Sequence, residues 1–300
     1  MNTTPTSPPN GASSAADSPE RTMFQGSTLS FEVFPPKDAA GLGQLDATVA
    51  ELETLGPTFV SITYGAGGSD RDRSFSAIET IAKHGTAIAG HLTCVDQTRA
   101  DIDGVIDRYR SLGVEHIVAL RGDPPGGIDA PYEAHPEGYA STDQLVAAAR
   151  SRGITEVSVS AYPEQHPQSP SSSHDLEILA AKVAAGATRA ITQMCFDDEA
   201  IIRYIDEVHA AGIDVTVAPG IFPIHSFPTV ARFARRCGAT IPDRVAERFA
   251  GLDDDPETTA KVGAELAAEQ ISGLRDRGVN HAHLYTLNRA ALVRAVCEQL

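Results

Sequence analysis

Short β-rich runs that alternate eight times with longer amphipathic stretches predict a (β/α)8 TIM barrel over residues 25–300. Three observations carry that expectation. The strand-like runs are Leu29–Phe34, Phe59–Tyr64, Ile88–Cys94, His116–Gly122, Glu156–Tyr162, Arg189–Met194, Asp214–Gly220 and His281–Thr286. Segments of helical period lie between them, among them Leu45–Leu55, Ile102–Leu112, Leu176–Ala185 and Thr258–Arg277. Gly56, Gly85, Gly113, Gly153, Gly186, Gly212 and Gly278 each stand after a helical stretch and before a strand. A glycine there can take the left-handed conformation that ends a helix without a Cβ clash. Repeats of helix, glycine and strand are βα units, which need a parallel sheet. No composition break divides residues 25–300, so one domain is expected, closed rather than open and doubly wound.

Composition bounds the partners. The 300 residues carry 24 basic and 40 acidic side chains, a net charge of −16 that repels nucleic acid and anionic lipid. No apolar run reaches the roughly 18 residues of a membrane span. Residues 1–24 read as a flexible tail: Met1 to Thr22 holds four Pro, four Ser and four Thr, with neither a basic nor an apolar signal region. The four cysteines, Cys94, Cys195, Cys237 and Cys297, form no C-x-x-C pair, and scattered thiols point to a reducing cytoplasm.

In a barrel of this kind the C-terminal ends of the strands surround the ligand site. Here those ends are polar. The first gives Glu32 and then Pro35-Pro36-Lys37, the second Thr63-Tyr64-Gly65-Ala66-Gly67-Gly68, and the third His91 and Thr93. The fourth gives Arg121-Gly122-Asp123, the fifth Tyr162 with His166 beyond it, and the sixth Thr192-Gln193. The seventh leads into a long stretch with an extra helix expected around Asp243–Ala250, and the eighth gives Tyr285 with Asn288-Arg289. Pro124 to Tyr139, rich in Pro and Gly, is the longest loop after a strand and is placed over the ligand face.

Glu32 lies in the run Leu29-Ser30-Phe31-Glu32-Val33-Phe34, on one face with Ser30 and Phe34. A carboxylate among aromatics tends toward a raised pKa, which suits a general acid; a structural ion pair is the plainer alternative. Arg121-Gly122-Asp123 sets a glycine between opposite charges, fit for a phosphate and a cation or for a salt-bridged loop. The Gly65-Ala-Gly-Gly68 turn suggests a phosphate loop without matching a known fingerprint, and a plain βα turn explains it equally. His281 and His283 share a strand face at a spacing used in metal sites, but no acidic cluster or second H-x-H pair accompanies them.

Taken as whole motifs, the strand ends resemble methylenetetrahydrofolate reductase of the short bacterial type. The resemblance covers residues 28–300. It rests on Ser30-Phe-Glu-Val-Phe-Pro-Pro-Lys37, Thr63-Tyr-Gly-Ala-Gly67, His91-Leu-Thr-Cys94, Ala119-Leu-Arg-Gly-Asp-Pro124 and Ala161-Tyr-Pro-Glu-Gln-His-Pro167. Lys182-Val-Ala-Ala-Gly-Ala187, Ile191-Thr-Gln193, Pro219-Gly-Ile-Phe-Pro223 and Tyr285-Thr-Leu-Asn-Arg289 follow in family order. It implies an FAD-dependent barrel that reduces 5,10-methylenetetrahydrofolate to 5-methyltetrahydrofolate, a methyl source for methionine synthesis. It also implies a ping-pong sequence, with NADH or NADPH giving hydride to the flavin before the folate binds, and a cytoplasmic homo-oligomer.

By the same resemblance, Glu32 is the acid that protonates N10 of the folate so that the bridge opens to an iminium ion. Asp123 lies near flavin and pterin, where its charge favours the iminium cation and disfavours the anionic reduced flavin. Gln193 bonds the pterin, Arg289 contacts the folate, Thr63 lies near the nicotinamide, and Phe233 packs on the shared nicotinamide and folate site. Tyr64, Ala66, His91, Arg121, Gly122, Tyr139, Ala140, Tyr162, His166, Asp175 and Lys182 match positions that hold FAD. No metal is implied. Ser169, Ile178, Ala181 and Thr229 depart from enterobacterial relatives, which place alanine, asparagine, arginine and glutamine there; the first three bear on flavin affinity and the last on folate. The chain ends just after the eighth helix, so the regulatory C-terminal domain of the eukaryotic enzymes, and with it inhibition by S-adenosylmethionine, is not expected. Two readings compete: a metal-dependent barrel hydrolase using His91, His281, His283 and Asp123, and a catalytically silent flavin or folate binder.

Overall fold

The computed structural model describes residues 27–65, 68–124, 126–127 and 130–300, with the side chains of 68–70 excepted. Residues 1–24, read as a tail, and Ala66 lie outside the described residues. Eight parallel strands close into a barrel in sequence order: β1 (Thr28–Val33), β2 (Val60–Ile62), β3 (Ile88–Thr93), β4 (His116–Leu120), β5 (Glu156–Ala161), β6 (Arg189–Met194), β7 (Thr216–Ile221) and β8 (His281–Tyr285). Closure comes from β1 on β8, with Ser30 opposite His283 and Glu32 opposite Tyr285.

The helices expected between strands form as α1 (Ala39–Glu53), α2 (Gly68–Ile81), α3 (Arg99–Ser111), α4 (Thr142–Ser151), α5 (Ser172–Ala184) and α6 (Asp198–Ala210). Beyond β7 the chain makes α7 (Phe227–Arg236) and the expected extra turn α8 (Asp243–Glu247) before the long α9 (Pro256–Asp276), and α10 (Ala290–Cys297) follows β8. Short polar side chains cap the starts of α1, α3, α5 and α9: Thr98 and Asp101 close a reciprocal capping box on α3, and Asp255 accepts from the Thr258 N–H on α9.

Six of the seven punctuating glycines have positive φ, from 66° at Gly56 to 111° at Gly186. Gly85 is the exception. Its N–H donates to the Glu53 carboxylate at 2.6 Å, so a side chain, not a left-handed turn, settles that helix end. Strands two and four are shorter than expected. At the end of β4 the cause is Gly122 (φ 83°), where a Cβ would lie 2.5 Å from Val95 Cγ1.

Strand alternation sorts the side chains. Leu29, Phe31 and Val33 of β1 join the main apolar layer between sheet and helices, while Ser30 and Glu32 point to the barrel interior. That interior is unusually polar for a barrel, holding Ser61, His91, His116, Ser158 and His283 over a small apolar plug of Phe59, Ala89, Val118 and Ile191. Each polar group kept there carries a desolvation cost, which points to a use other than packing.

Candidate active site

A cavity of about 620 Å³ opens at the C-terminal ends of the strands. It is lined by Glu32, Thr63, Tyr64, His91, Arg121, Gly122, Asp123, Tyr162, His166, Asp175, Lys182, Gln193 and Phe233, so thirteen of the expected site residues converge there. Tyr139, Ala140 and Arg289 stand outside that lining. The Tyr139 hydroxyl donates to Asp103 at 2.8 Å, the Ala140 N–H donates to Gln144, and Arg289 lies exposed before α10.

On the β1/β3/β8 side the Glu32 side chain is 10% exposed, with Oε2 at 3.5 Å from His91 Nε2 and 3.8 Å from His283 Nε2. Its close neighbours are therefore imidazoles, not the phenylalanines of its own run, because alternation sends Phe31 to the opposite face. Both distances exceed a hydrogen bond, and both Nε2 atoms are buried without a hydrogen-bond partner among the described residues. The other ring nitrogen of His283 meets Ser30 Oγ at 2.7 Å. Burial, opposed by Glu32 and reinforced by His283, pulls His91 down to about 4, so that imidazole is neutral at pH 7.

The backbone of Glu32 is held firmly. Its carbonyl accepts from Thr286 Oγ1 at 2.6 Å and from the Thr286 N–H at 3.2 Å. One turn on, the Asn288 amide clasps Phe34, accepting from its N–H at 2.8 Å and donating to its carbonyl at 3.0 Å. Leu287 and Asn288 reach this geometry with φ of 51° and 56°, a left-handed pair that costs backbone energy at a functional turn.

On the β4/β5 side two cations face the cavity. Arg121 Nη2 donates to the Gln168 amide oxygen at 2.6 Å. Lys182, 5% exposed on α5, donates to the Ser160 carbonyl at 3.0 Å and to Ser160 Oγ at 3.3 Å. Burial, offset by Asp175, lowers Lys182 to about 8, and it keeps its proton at neutral pH. Asp175 accepts from the His166 N–H at 2.9 Å, and His166 Nδ1 accepts from the Gln168 N–H at 3.0 Å. A neutral His166 therefore carries its proton on Nε2. Burial lowers its pKa, with Arg121 the next cause.

Between the two sides lies an irregularity in β6. The β6–β7 register shifts between Ile191 and Met194, and Thr192 ties the bulge by accepting from the Gly220 N–H and donating to the Gln193 carbonyl, each at 2.9 Å. Tyr285 caps it with a 2.7 Å bond to the Thr192 carbonyl. The Gln193 amide oxygen accepts from the Met194 N–H at 2.9 Å, which leaves its NH2 group for a ligand. Around the mouth stand Phe34, Ile178 and Phe233, the most exposed large apolar side chains described, all three lining this cavity. Phe233 leans on Phe222 at 5.9 Å.

Sequence reasoning missed Gln168, Ser160, Phe222 and His174, all of which line the cavity. A serine two residues before the tyrosine that follows a strand was the available signal for Ser160. Nothing local marked Gln168, whose partners lie across a loop. The residues needed for a metal centre are divided, because His281 pairs with Thr28 at the N-terminal end of its strand. No cluster of His, Cys, Asp and Glu fit for a metal occurs among the described residues, and none of their helices is long and apolar enough to cross a membrane.

A family model described as methylenetetrahydrofolate reductase matches residues 20–300. A protein of Pectobacterium carotovorum subsp. carotovorum described as 5,10-methylenetetrahydrofolate reductase is 42% identical over 275 residues, covering 91% of this chain and 89% of that one. The protein so described from Escherichia coli (strain K12) is 43% identical over 273 residues, covering 91% and 90%. Methylenetetrahydrofolate reductase (NADH) 1 of Arabidopsis thaliana is 34% identical over 282 residues, covering 88% of this chain and 47% of the plant protein. Among solved structures, an uncharacterized protein from Clostridium thermocellum that binds two copies of 5-methyl-5,6,7,8-tetrahydrofolic acid superposes with a TM-score of 0.63 at 12% identity, covering 93% of this chain and 96% of that one. At that identity the likeness is one of fold.

Proposed function

This chain belongs to the methylenetetrahydrofolate reductase family, and from that membership and its cavity we propose that it reduces 5,10-methylenetetrahydrofolate to 5-methyltetrahydrofolate. FAD would sit in the cavity, with NADH or NADPH as hydride donor. The observation that carries this reading is the division of one cavity between a buried carboxylate and two cations held by neutral groups.

The cations fit FAD. Arg121 and Lys182 present positive charge to its diphosphate, and His166 Nε2 and the backbone at Gly122 add donors beside them. The apolar mouth of Phe34, Ile178 and Phe233 suits flat aromatic rings, and about 620 Å³ is in the range of ligand pockets. Tyr64 and Tyr162 add ring surface to the same walls, and Asp175 fixes the His166 backbone. Tyr139, Ala140 and Ala66 complete the family set for this cofactor. Held by Arg121, Lys182 and His166, FAD would supply the hydride-transfer chemistry between nucleotide and folate, in a ping-pong sequence.

The remaining chemistry belongs to the chain. Glu32, 3.5 and 3.8 Å from two imidazole nitrogens, is the general acid for N10 of the bridged folate, whose protonation opens the five-membered ring to an iminium ion. Asp123, exposed at the opposite lip, offers a fixed negative charge to that cation. Gln193 turns its NH2 group to the pterin, and Arg289 offers a cation to the folate from the end of β8. Thr63 and Phe233 position the nicotinamide and then the folate on one shared face. The product feeds methyl transfer to methionine, and the active form is a homo-oligomer in the cytoplasm.

A turnover assay tests the proposal. Purified chain loaded with FAD and supplied with 5,10-methylenetetrahydrofolate and NADH or NADPH should yield 5-methyltetrahydrofolate, followed by chromatography. No product with either nucleotide at saturating FAD would overturn it.

A further inference from the structure

Arg121 is held in an uncommon way. Its guanidinium carbon lies 4.8 Å from the centroid of the Tyr132 ring, its Nη2 donates to Gln168 at 2.6 Å, and its Nε reaches the Gly122 carbonyl at 3.4 Å. Each of these partners is neutral. Gln168 is itself tied to the loop that carries Tyr132, donating to the Ala130 carbonyl at 2.8 Å. The Tyr132 hydroxyl comes within 3.7 Å of Cys94 Sγ, which anchors the ring from behind at the end of β3.

We infer that Tyr132 is a positioning residue for the anion site: its ring face and Gln168 fix Arg121 in the cavity wall without neutralising it. The alternative way to fix an arginine is a carboxylate, and a carboxylate would spend the charge that a phosphate needs. An aromatic face attracts the cation through its quadrupole and leaves the planar fork free to donate. A guanidinium already ordered before binding loses less freedom when the ligand arrives, so the gain appears as affinity. Tyr132 does not line the cavity. It acts through Arg121 alone.

The inference rests on the reading that FAD occupies this cavity, and the test separates the two. Apo-protein is titrated with FAD and with riboflavin, which lacks the phosphates, and flavin fluorescence is followed for wild type, Tyr132→Phe and Tyr132→Leu. Phenylalanine keeps the ring face and should bind FAD within about twofold of wild type. Leucine keeps apolar volume without a π-face and should weaken FAD about tenfold, while riboflavin binding changes less than twofold in either variant. Raising salt should narrow the gap between the two variants, since it screens the cation the ring positions. Equal FAD affinity in all three proteins, or riboflavin weakened as much as FAD, overturns the inference alone. Wild-type protein that takes up no FAD overturns the flavin reading and the inference with it.

Discussion

On the β1/β3/β8 side of the cavity, Glu32 faces two buried imidazole nitrogens at 3.5 and 3.8 Å, neither of them satisfied. On the β4/β5 side, Arg121 and Lys182 rest on amide, carbonyl and hydroxyl oxygens within bonding distance, and every contact described is to a neutral atom. The first arrangement is loose, which suits a group that must give up a proton and take it back. The second is tight, which suits charges that must stay where they are while ligands come and go. One fold builds both because different strands furnish the two walls: β1 and β8, paired with Ser30 opposite His283, supply the first, and β5 supplies Ser160 to the second.

Breaking the loose side should have the largest effect. Glu32→Gln removes the proton but keeps the shape, and folate reduction should fall about a thousandfold, within the usual range for a general acid. Nucleotide-driven reduction of the flavin, which needs no such proton, should continue near the wild-type rate in single-turnover experiments. Equal loss in both half reactions would mean that Glu32 supports structure and not proton delivery.

The second effect concerns stability. Burial holds His91 near 4 and His116 near 3, against 6.5 for a free imidazole. Below pH 6.5 the unfolded chain binds protons that the folded chain refuses, so stability is lost as pH falls from about 6.5 toward 4. His91 alone contributes on the order of 3 kcal/mol to that loss. Urea unfolding at pH 7 and pH 5 should show a lower midpoint at the acid end, with a flatter profile in His116→Gln; an unchanged midpoint would contradict the buried neutral assignment.

Sharpening the tight side gives smaller effects. Lys182→Met should weaken FAD by about 2 kcal/mol, the scale of a charge-assisted hydrogen bond. Lys182 loses its proton near 8, so wild-type affinity should also fall as pH rises through about 8, and that slope should vanish in the variant. Affinity measured by equilibrium dialysis across pH 7 to 9 checks both. At the mouth, Ile178→Asn should tighten FAD by a few-fold, because a half-exposed apolar side chain there gives way to a donor. Weaker binding would show that Ile178 serves by apolar contact.

Much of the barrel was legible because its signals are local. Strand alternation and the glycines after helices are properties of a few consecutive residues, and the eight strands form where those signals place them. Gly85 misled because the group that settles its helix end, Glu53, lies on another helix. The placement of Glu32, Lys182 and Arg121 in one cavity follows from their positions at strand ends and on the helix after β5. The imidazole pair around Glu32 was not legible, since it depends on the β1–β8 closure that sets Ser30 opposite His283. Nor was the β6 bulge that aims Gln193, because a register shift belongs to two strands together. The Gln168 link from Arg121 to the loop after β4 likewise joins residues 47 apart.

The most direct test is an anaerobic titration of FAD-loaded wild-type protein followed by visible absorption in one cuvette. Oxidised flavin bands should bleach on addition of NADH or NADPH and return in full, with one equivalent of 5-methyltetrahydrofolate formed, on addition of 5,10-methylenetetrahydrofolate. Bands that bleach with nucleotide but stay bleached with the folate would contradict a single cavity serving both hydride transfers.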